Sequence, residues 1–380
     1  MRLFRICLSI AALCSPLTAA EPEEKPALLY VATYSPNDGD GIFVGTWNSQ
    51  AGRVDNLRPT GNLRSPAALA AHPTRNFLYA TSVLTDAAGQ LVGAVVAFTV
   101  QEQAGELHEI DRRPSGGNGP CYLSLDSEGR CLLVANCGTA TLACIELKSD
   151  GRFGKSSSLI SHQGESRNSE GKPQAHSILA APDNRFAIAA DLGLDRLFVY
   201  QLESAQARIT PAPVPGVNLA AGSGPRHLAV HPAGKFLYSM NELGNTVTAC
   251  AWDAATGELR VLQEVTTLPN HYQGDSYAAD IAIHPTGRTL YTSNRGHDSL
   301  ATFEIELDTG LLTMLECTSS RGKFPRSITL DATGRHLVVA NQKSDQISVF
   351  AVNAQTRRLE ADEGRIDVAQ PVCVKFLSHP

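Results

Sequence analysis

Gly224-Pro-Arg-His-Leu-Ala-Val-His-Pro-Ala-Gly-Lys-Phe-Leu-Tyr-Ser-Met-Asn-Glu-Leu243 reads as strand, tight turn, strand. Arg226 and His227 open the first strand, which continues through Leu228-Ala-Val230. His231-Pro-Ala-Gly234 is turn chemistry, with proline fixing φ and glycine free to take positive φ. Phe236-Leu-Tyr-Ser-Met240 is the second strand, and Asn241-Glu242 closes it. The polar residues that open one strand and close the other therefore lie together, at the end of the hairpin opposite its turn.

The pattern recurs. Copies turn at His72-Pro73, Asp126-Ser127, Ala181-Pro182, His231-Pro232, His284-Pro285 and Asp331-Ala332, and subtraction gives spacings of 54, 55, 50, 53 and 47. A period of about 50 lies within the range of propeller blades. Each copy continues into a third apolar run, such as Thr246-Val-Thr-Ala-Cys-Ala251, and a fourth, near Leu259-Arg-Val-Leu262. No segment sustains a helical period. At the start, Leu29-Tyr-Val-Ala-Thr-Tyr34 is a second strand lacking a first, and Val372 to Pro380 is a first strand stopping at its turn, His379-Pro380. The expected fold is all-β: a seven-bladed β-propeller of four-stranded antiparallel blades, closed by the C-terminal strand pairing with the N-terminal blade. Closing the ring removes the strand edges that an open sheet exposes.

The chain of 380 residues is 43% hydrophobic and 18% charged, which excludes a disordered protein. Its net charge of −6, without a long run of one sign, argues against nucleic acid as a partner. Residues 1–20 read as a signal peptide: Arg2 and Arg5, an apolar stretch from Ile6 to Leu13, and Thr18-Ala19-Ala20 before Glu21. The stretch is too short for a membrane span. Residues 21–26 form a linker and 27–380 one propeller domain, periplasmic or secreted, with a monomer expected. Seven cysteines follow Cys7 and Cys14. Cys131 and Cys144 fall on neighbouring strands, where either a disulfide or two buried thiols is open. Ser166 to Gly171 and Pro211 to Ser223 read as longer connections, suited to shaping a site or to acting as spacers. No cofactor or metal motif, Walker loop or Gly-x-Ser-x-Gly elbow is present.

Register selects the candidate site. Five residues before each turn stand Ala67, Cys121, His176, Arg226, Ala279, Arg326 and, in the composite blade, Val374. Ten residues after each turn stand Ser82, Asn136, Asp191, Asn241, Asn294 and Asn341, with Thr33 by analogy. One position further come Val83, Cys137, Leu192, Glu242, Arg295, Gln342 and Tyr34. First strands line a propeller's channel, so these three sets crowd one mouth of it. Folding alone does not require His176, Arg226, Glu242, Arg295 or Arg326 at these places. Arginines present planar forks to carboxylates or phosphates, and histidine carries protons near neutrality. The Asn/Asp ring is read most simply as turn closure, with substrate contact as the alternative. Alternation turns His227 away from Arg226 and into its blade. His72, His231 and His284 belong to turns, and His297 is a second loop candidate.

The chain resembles the lactonase-type seven-bladed propellers, which include the propeller 6-phosphogluconolactonases and carboxy-cis,cis-muconate cyclase. The resemblance spans the mature chain. It rests on Gly224-Pro-Arg-His227 with Tyr238-x-x-Asn-Glu242, on Leu290-Tyr-Thr-Ser-Asn-Arg-Gly-His-Asp-Ser299, on Ala190-Asp-Leu-Gly-x-Asp-Arg196, and on Leu337-Val-Val-Ala-Asn-Gln342. It implies a catalytic set of His176, Arg226, Glu242 and Arg295. The substrate-binding candidates around that set are Arg326, Asn241, Asn294, His297, Asn341, Gln342, Asp191, Asn136 and Tyr34. The implied activity is hydrolysis of an anionic sugar lactone, giving a sugar acid, without cofactor. A non-catalytic binding propeller and a lactonising isomerase are the alternatives. The chain departs from the family at Pro173-Gln-Ala-His176, where a second histidine is usual, at Thr81-Ser82 and at Ala32-Thr-Tyr-Ser35. The signal segment makes a direct prediction: terminal sequencing of the exported protein will begin at Glu21, and a first residue of Met1 would remove the export reading.

Overall fold

The computed structural model describes residues 27–34, 40–102 and 104–377. They form seven four-stranded antiparallel sheets, the expected propeller. Blade one is composite: Pro371–Leu377 is innermost, followed outward by Ala27–Thr33, Asp40–Asn48 and Arg53–Asn62. The other six blades each come from one continuous stretch, with innermost strands Leu69–Ala71, Pro120–Leu125, Ala175–Ala180, Pro225–Val230, Tyr277–Ile283 and Pro325–Leu330. The proposed signal peptide, the linker and His379-Pro380 lie outside the described residues. Among the described residues, no helix is long and apolar enough to cross a membrane.

Strand periodicity explains how the ring holds together. Successive side chains of a strand point to opposite faces of its sheet. In Ala27–Thr33, Leu28, Tyr30 and Ala32 pack toward blade two, while Leu29 and Val31 pack toward blade seven. Both faces are dry, so inner strands read as unbroken apolar runs. Seven apolar clusters result, each spanning one pair of neighbouring blades. Polar latches reinforce the seams. Buried Tyr30, Tyr79 and Tyr238 donate from their hydroxyls to the carbonyls of Gly105, Gly151 and Gly310 in the next blade, at 2.8, 3.2 and 3.0 Å. The turn histidines act at the same face. His231 Nε2 donates to Gly287 O at 2.9 Å and His284 Nε2 to Gly334 O at 3.2 Å.

Two sequence expectations need correction, and the alternative left open for Cys131 and Cys144 is decided. Thr33 pairs with Pro371 and Ala32 with Cys373, so Val372 holds the position assigned to Val374. Counting five residues back from His379 therefore misses the bulged position by two. The stretch from Pro211 is not a loop through Asn218, because Arg208–Asn218 is the outermost strand of blade four. An edge strand tolerates Pro211, Pro213 and Pro215, whose nitrogens have no hydrogen to donate to a ladder. Cys131 and Cys144 are both free, buried in the seam between blades three and four. Cys131 pairs with Glu146 and Cys144 with Leu133, which staggers the two thiols by two residues.

The tyrosine latches set an expected cost. Tyr238→Phe keeps the ring in its seam and leaves the Gly310 carbonyl without its donor. It should destabilise the protein by about 1–2 kcal/mol in urea denaturation with an unchanged m-value.

Candidate active site

The site begins with a repeated irregularity. Pro225 pairs with Asn241 and His227 with Met240, which leaves Arg226 as an extra residue. The same one-residue bulge isolates Cys121, His176 and Arg326 in blades three, four and seven. In blade six the shift falls between Ala278 and Ile281. A bulge bends the strand and re-aims its side chains. It also breaks alternation, which corrects the expectation for His227. That ring is not turned away from Arg226. Its Nε2 lies 3.2 Å from Arg226 Nη1, and its ring centroid lies 5.4 Å from that of His176 and 5.0 Å from that of Tyr122.

One carboxylate organises the centre. Glu242 Oε2 lies 2.8 Å from Arg226 Nε and 2.8 Å from Arg295 Nη2. The first contact is an ion pair and not a hydrogen bond, because the Nε–H is not aimed along it. Arg226 also donates from Nη1 to Ala279 O. Arg295 donates to Tyr277 O and Ala278 O at 3.2 and 3.3 Å. Behind Arg226, His227 Nδ1 is 2.8 Å from Asp280 Oδ1. An ionised carboxylate only accepts, so Nδ1 carries the proton and Nε2 offers its lone pair to Arg226. Asp280 further accepts from the Ile281 and Ile328 amides at 3.0 and 2.9 Å, tying blades five, six and seven together. Arg326 Nη2 donates to the Tyr34 hydroxyl at 3.0 Å and lies over that ring.

These contacts set the charges. Burial would raise the Glu242 carboxyl, but Arg226, Arg295 and Arg326 outweigh it and hold the group below its usual range. Asp280 is held low in the same way, with His227 the largest opposing influence. Burial, then Arg226, brings His227 down to about 4. Burial, then Arg226, His227 and the other arginines, places His176 well below an ordinary histidine. Burial and Arg226 bring Arg295 down to about 10. Near neutrality both histidines are uncharged. The three arginines against Glu242 and Asp280 leave the mouth with one net positive charge.

The predicted residues separate into two groups. His176, Arg226, Glu242, Arg295, Arg326 and Tyr34 meet at the mouth, and His176 Nδ1 and Gln342 Oε1 are buried without hydrogen-bond partners there. Asn136, Asp191, Asn241, Asn294 and Asn341 are all fully buried and bond within or beside their own blades. Asn241 Nδ2, for example, donates to Thr246 and Thr248 hydroxyls at 2.9 and 2.8 Å, and Asp191 Oδ2 lies 2.7 Å from His162 Nδ1. His297 bonds the Ser299 hydroxyl at 2.7 Å and packs on Tyr272. Sequence reasoning passed over Asp280 and Tyr122 and set His227 aside. The available signal was adjacency: each stands one residue beyond a register position, where a bulge brings it round to the same space. A surface hollow lined by Arg75, Ser127, Glu128 and Arg130 lies among the turns of blades two and three, at the opposite face, and has no comparable network.

Comparisons with known proteins agree with the fold. The family model for seven-bladed β-propeller lactonases matches residues 28–376. A 6-phosphogluconolactonase of Bacillus subtilis is 30% identical over 349 residues, covering 92% of this chain and 97% of its own length. One from Formosa agariphila is 29% identical over 299 residues, covering 77% and 83%. The solved structure of a periplasmic gluconolactonase of Pseudomonas aeruginosa superposes with a TM-score of 0.85 at 30% identity, covering 93% and 99%.

The charge state predicts acid sensitivity. His176 and His227 stay neutral in the fold at pH values where the unfolded chain takes up protons, so acid favours unfolding. Glu242 and Asp280, held low, lose their stabilising charge on further acidification. Unfolding free energy should fall from about pH 6.5 toward pH 4, with each histidine adding up to about 1.4 kcal/mol per pH unit. Denaturation across that range measures the slope, and His227→Gln should flatten it.

Proposed function

The chain belongs to the seven-bladed β-propeller lactonase family, and on that premise we propose that it is an exported lactone hydrolase acting on a sugar lactone or related anionic cyclic ester. The observation that carries the reading is the carboxylate of Glu242 shared between buried Arg226 and Arg295, beside a neutral His176. Ester hydrolysis needs a base to activate water and fixed positive charge where the carbonyl oxygen becomes an oxyanion. The neutral His176 ring has a lone pair to take a proton from water. The oxygen of that water attacks the lactone carbonyl. Arg295 and Arg226 face the charge that develops, in a site whose low exposure strengthens their effect. The tetrahedral intermediate collapses with cleavage of the ring C–O bond, and the His176 proton passes to the departing alkoxide. The product is the open hydroxy acid.

Glu242 acts by orientation. A carboxyl held below its usual range between two guanidinium groups remains ionised and fixes both forks. Arg326 is the least enclosed of the three arginines, and it meets the substrate's anionic group while Tyr34 holds it in place. The relatives suggest the substrate class, a gluconolactone with or without a phosphate. Arginine forks suit either a phosphate or a carboxylate.

The test is base-corrected hydrolysis of gluconolactone, its 6-phosphate and other sugar lactones by the mature chain. His176→Ala and Arg226→Ala should each reduce kcat/KM by about 10²–10³-fold, and Arg226→Lys should not restore it. Because the base form of His176 persists below pH 6.5, the rate should hold through the range where an ordinary histidine titrates. Full activity in both alanine variants sinks the assignment.

A further inference from the structure

A strained residue lies beside this network. Phe324 has φ of 62°, a left-handed conformation that is an outlier for a bulky side chain. Register shows what is unusual in the choice. The residue before the inner-strand proline is Gly119 in blade three, Gly224 in blade five and Gln370 in blade one, with φ of 64°, 62° and 44°, so the conformation recurs and the aromatic side chain is what sets Phe324 apart. Glycine takes this conformation without steric cost, whereas phenylalanine does not. A seam requirement does not explain the ring, since Phe324 belongs to none of the seven apolar clusters between blades.

The surroundings over-determine the strained backbone. Asp298 Oδ1 accepts from the Phe324 amide at 2.7 Å and from the Gly296 amide at 3.1 Å, joining the loop after Arg295 to the loop before Arg326. The Phe324 carbonyl accepts from the Gln342 amide at 3.1 Å. Two cations sit over the ring: the Arg295 guanidinium carbon 5.2 Å from its centroid and Lys343 Nζ 3.9 Å from it. An aromatic face attracts both and neutralises neither. Strain held this firmly at the edge of a candidate site points to a task there.

We infer that Phe324 is a positioning residue, whose ring fixes the Arg295 guanidinium from the side that Glu242 does not reach. This rests on the lactonase reading. The ring gives Arg295 a second support without adding negative charge, so the guanidinium keeps its pull on a developing oxyanion. Asp298 has a distinct part, since its carboxylate holds the Phe324 and Arg295 loops in fixed relation.

Three variants test the inference. Phe324→Gly accepts the backbone conformation, and its melting temperature should stay within about 4 °C of the wild type. Its kcat should fall by about tenfold with KM changing less, the signature of a contact that matters in the transition state. Phe324→Leu keeps bulk but no aromatic face and should fall similarly, and Phe324→Tyr should stay within about twofold of the wild type. Wild-type kcat in Phe324→Gly, or equal activity in the Leu and Tyr variants, overturns the inference while leaving the lactonase reading intact. If the wild type opens no lactone, that reading fails, and the guanidinium Nε–H resonance of Arg295 still decides the positioning. The resonance should broaden in Phe324→Gly, and an unchanged signal overturns the inference.

Discussion

A four-stranded sheet has two faces, and in this ring both must be kept dry. That constraint governs the structure. It explains why second strands such as Ala27–Thr33 carry large side chains in both directions, and why seven separate seams replace a single core. It also explains the latches. A tyrosine hydroxyl or turn histidine that crosses to the next blade satisfies a buried polar group and fixes the angle between blades at the same time. Toward the axis the innermost strands crowd together, and side chains from blade one and blades three to seven meet.

The crowding makes the site expensive in charge. Three arginines, a glutamate and an aspartate share a region where most side chains are barely exposed, and desolvating charges costs several kcal/mol per ion unless partners compensate. Here each carboxylate has more than one partner. Glu242 serves two arginines, and Asp280 serves His227 and two amides. The histidines escape the cost by remaining neutral. The arrangement favours a fixed electrostatic field over maximal stability, a trade expected where preorganised charge does chemistry.

Much of this was legible in the sequence because a repeat supplies its own ruler. The turn signals gave the period, the blade count and the composite closure, and fixed offsets from the turns found His176, Arg226, Glu242 and Arg295. The ruler failed where hydrogen-bond partners, and not residue counts, decide placement. Alternation alone turns His227 into its blade, but one bulged residue brings it beside Arg226. The offset from His379 named Val374, while pairing with Thr33 selects Val372. Proline content suggested a loop from Pro211, although an edge strand leaves those nitrogens facing no partner. The Asn/Asp ring has the right offset for the mouth, yet its side chains find bonds within and beside their blades. Side-chain direction at a strand end is set by local bonding, which composition does not record.

The composite blade ties the protein's geometry to the order of its synthesis. Leu28 pairs with Leu377, so the second strand of blade one waits for a partner almost 350 residues away. At about 5–20 residues per second, a ribosome takes roughly 20–70 s to supply it. Throughout that interval the inner edge of Ala27–Thr33 is an unpaired, apolar strand, the kind of edge that recruits other chains. The nascent polypeptide can stack blades two to seven in turn, but it remains an open arc until its final strand arrives. Whatever attends this chain during translation must shield one early edge for the whole of that time.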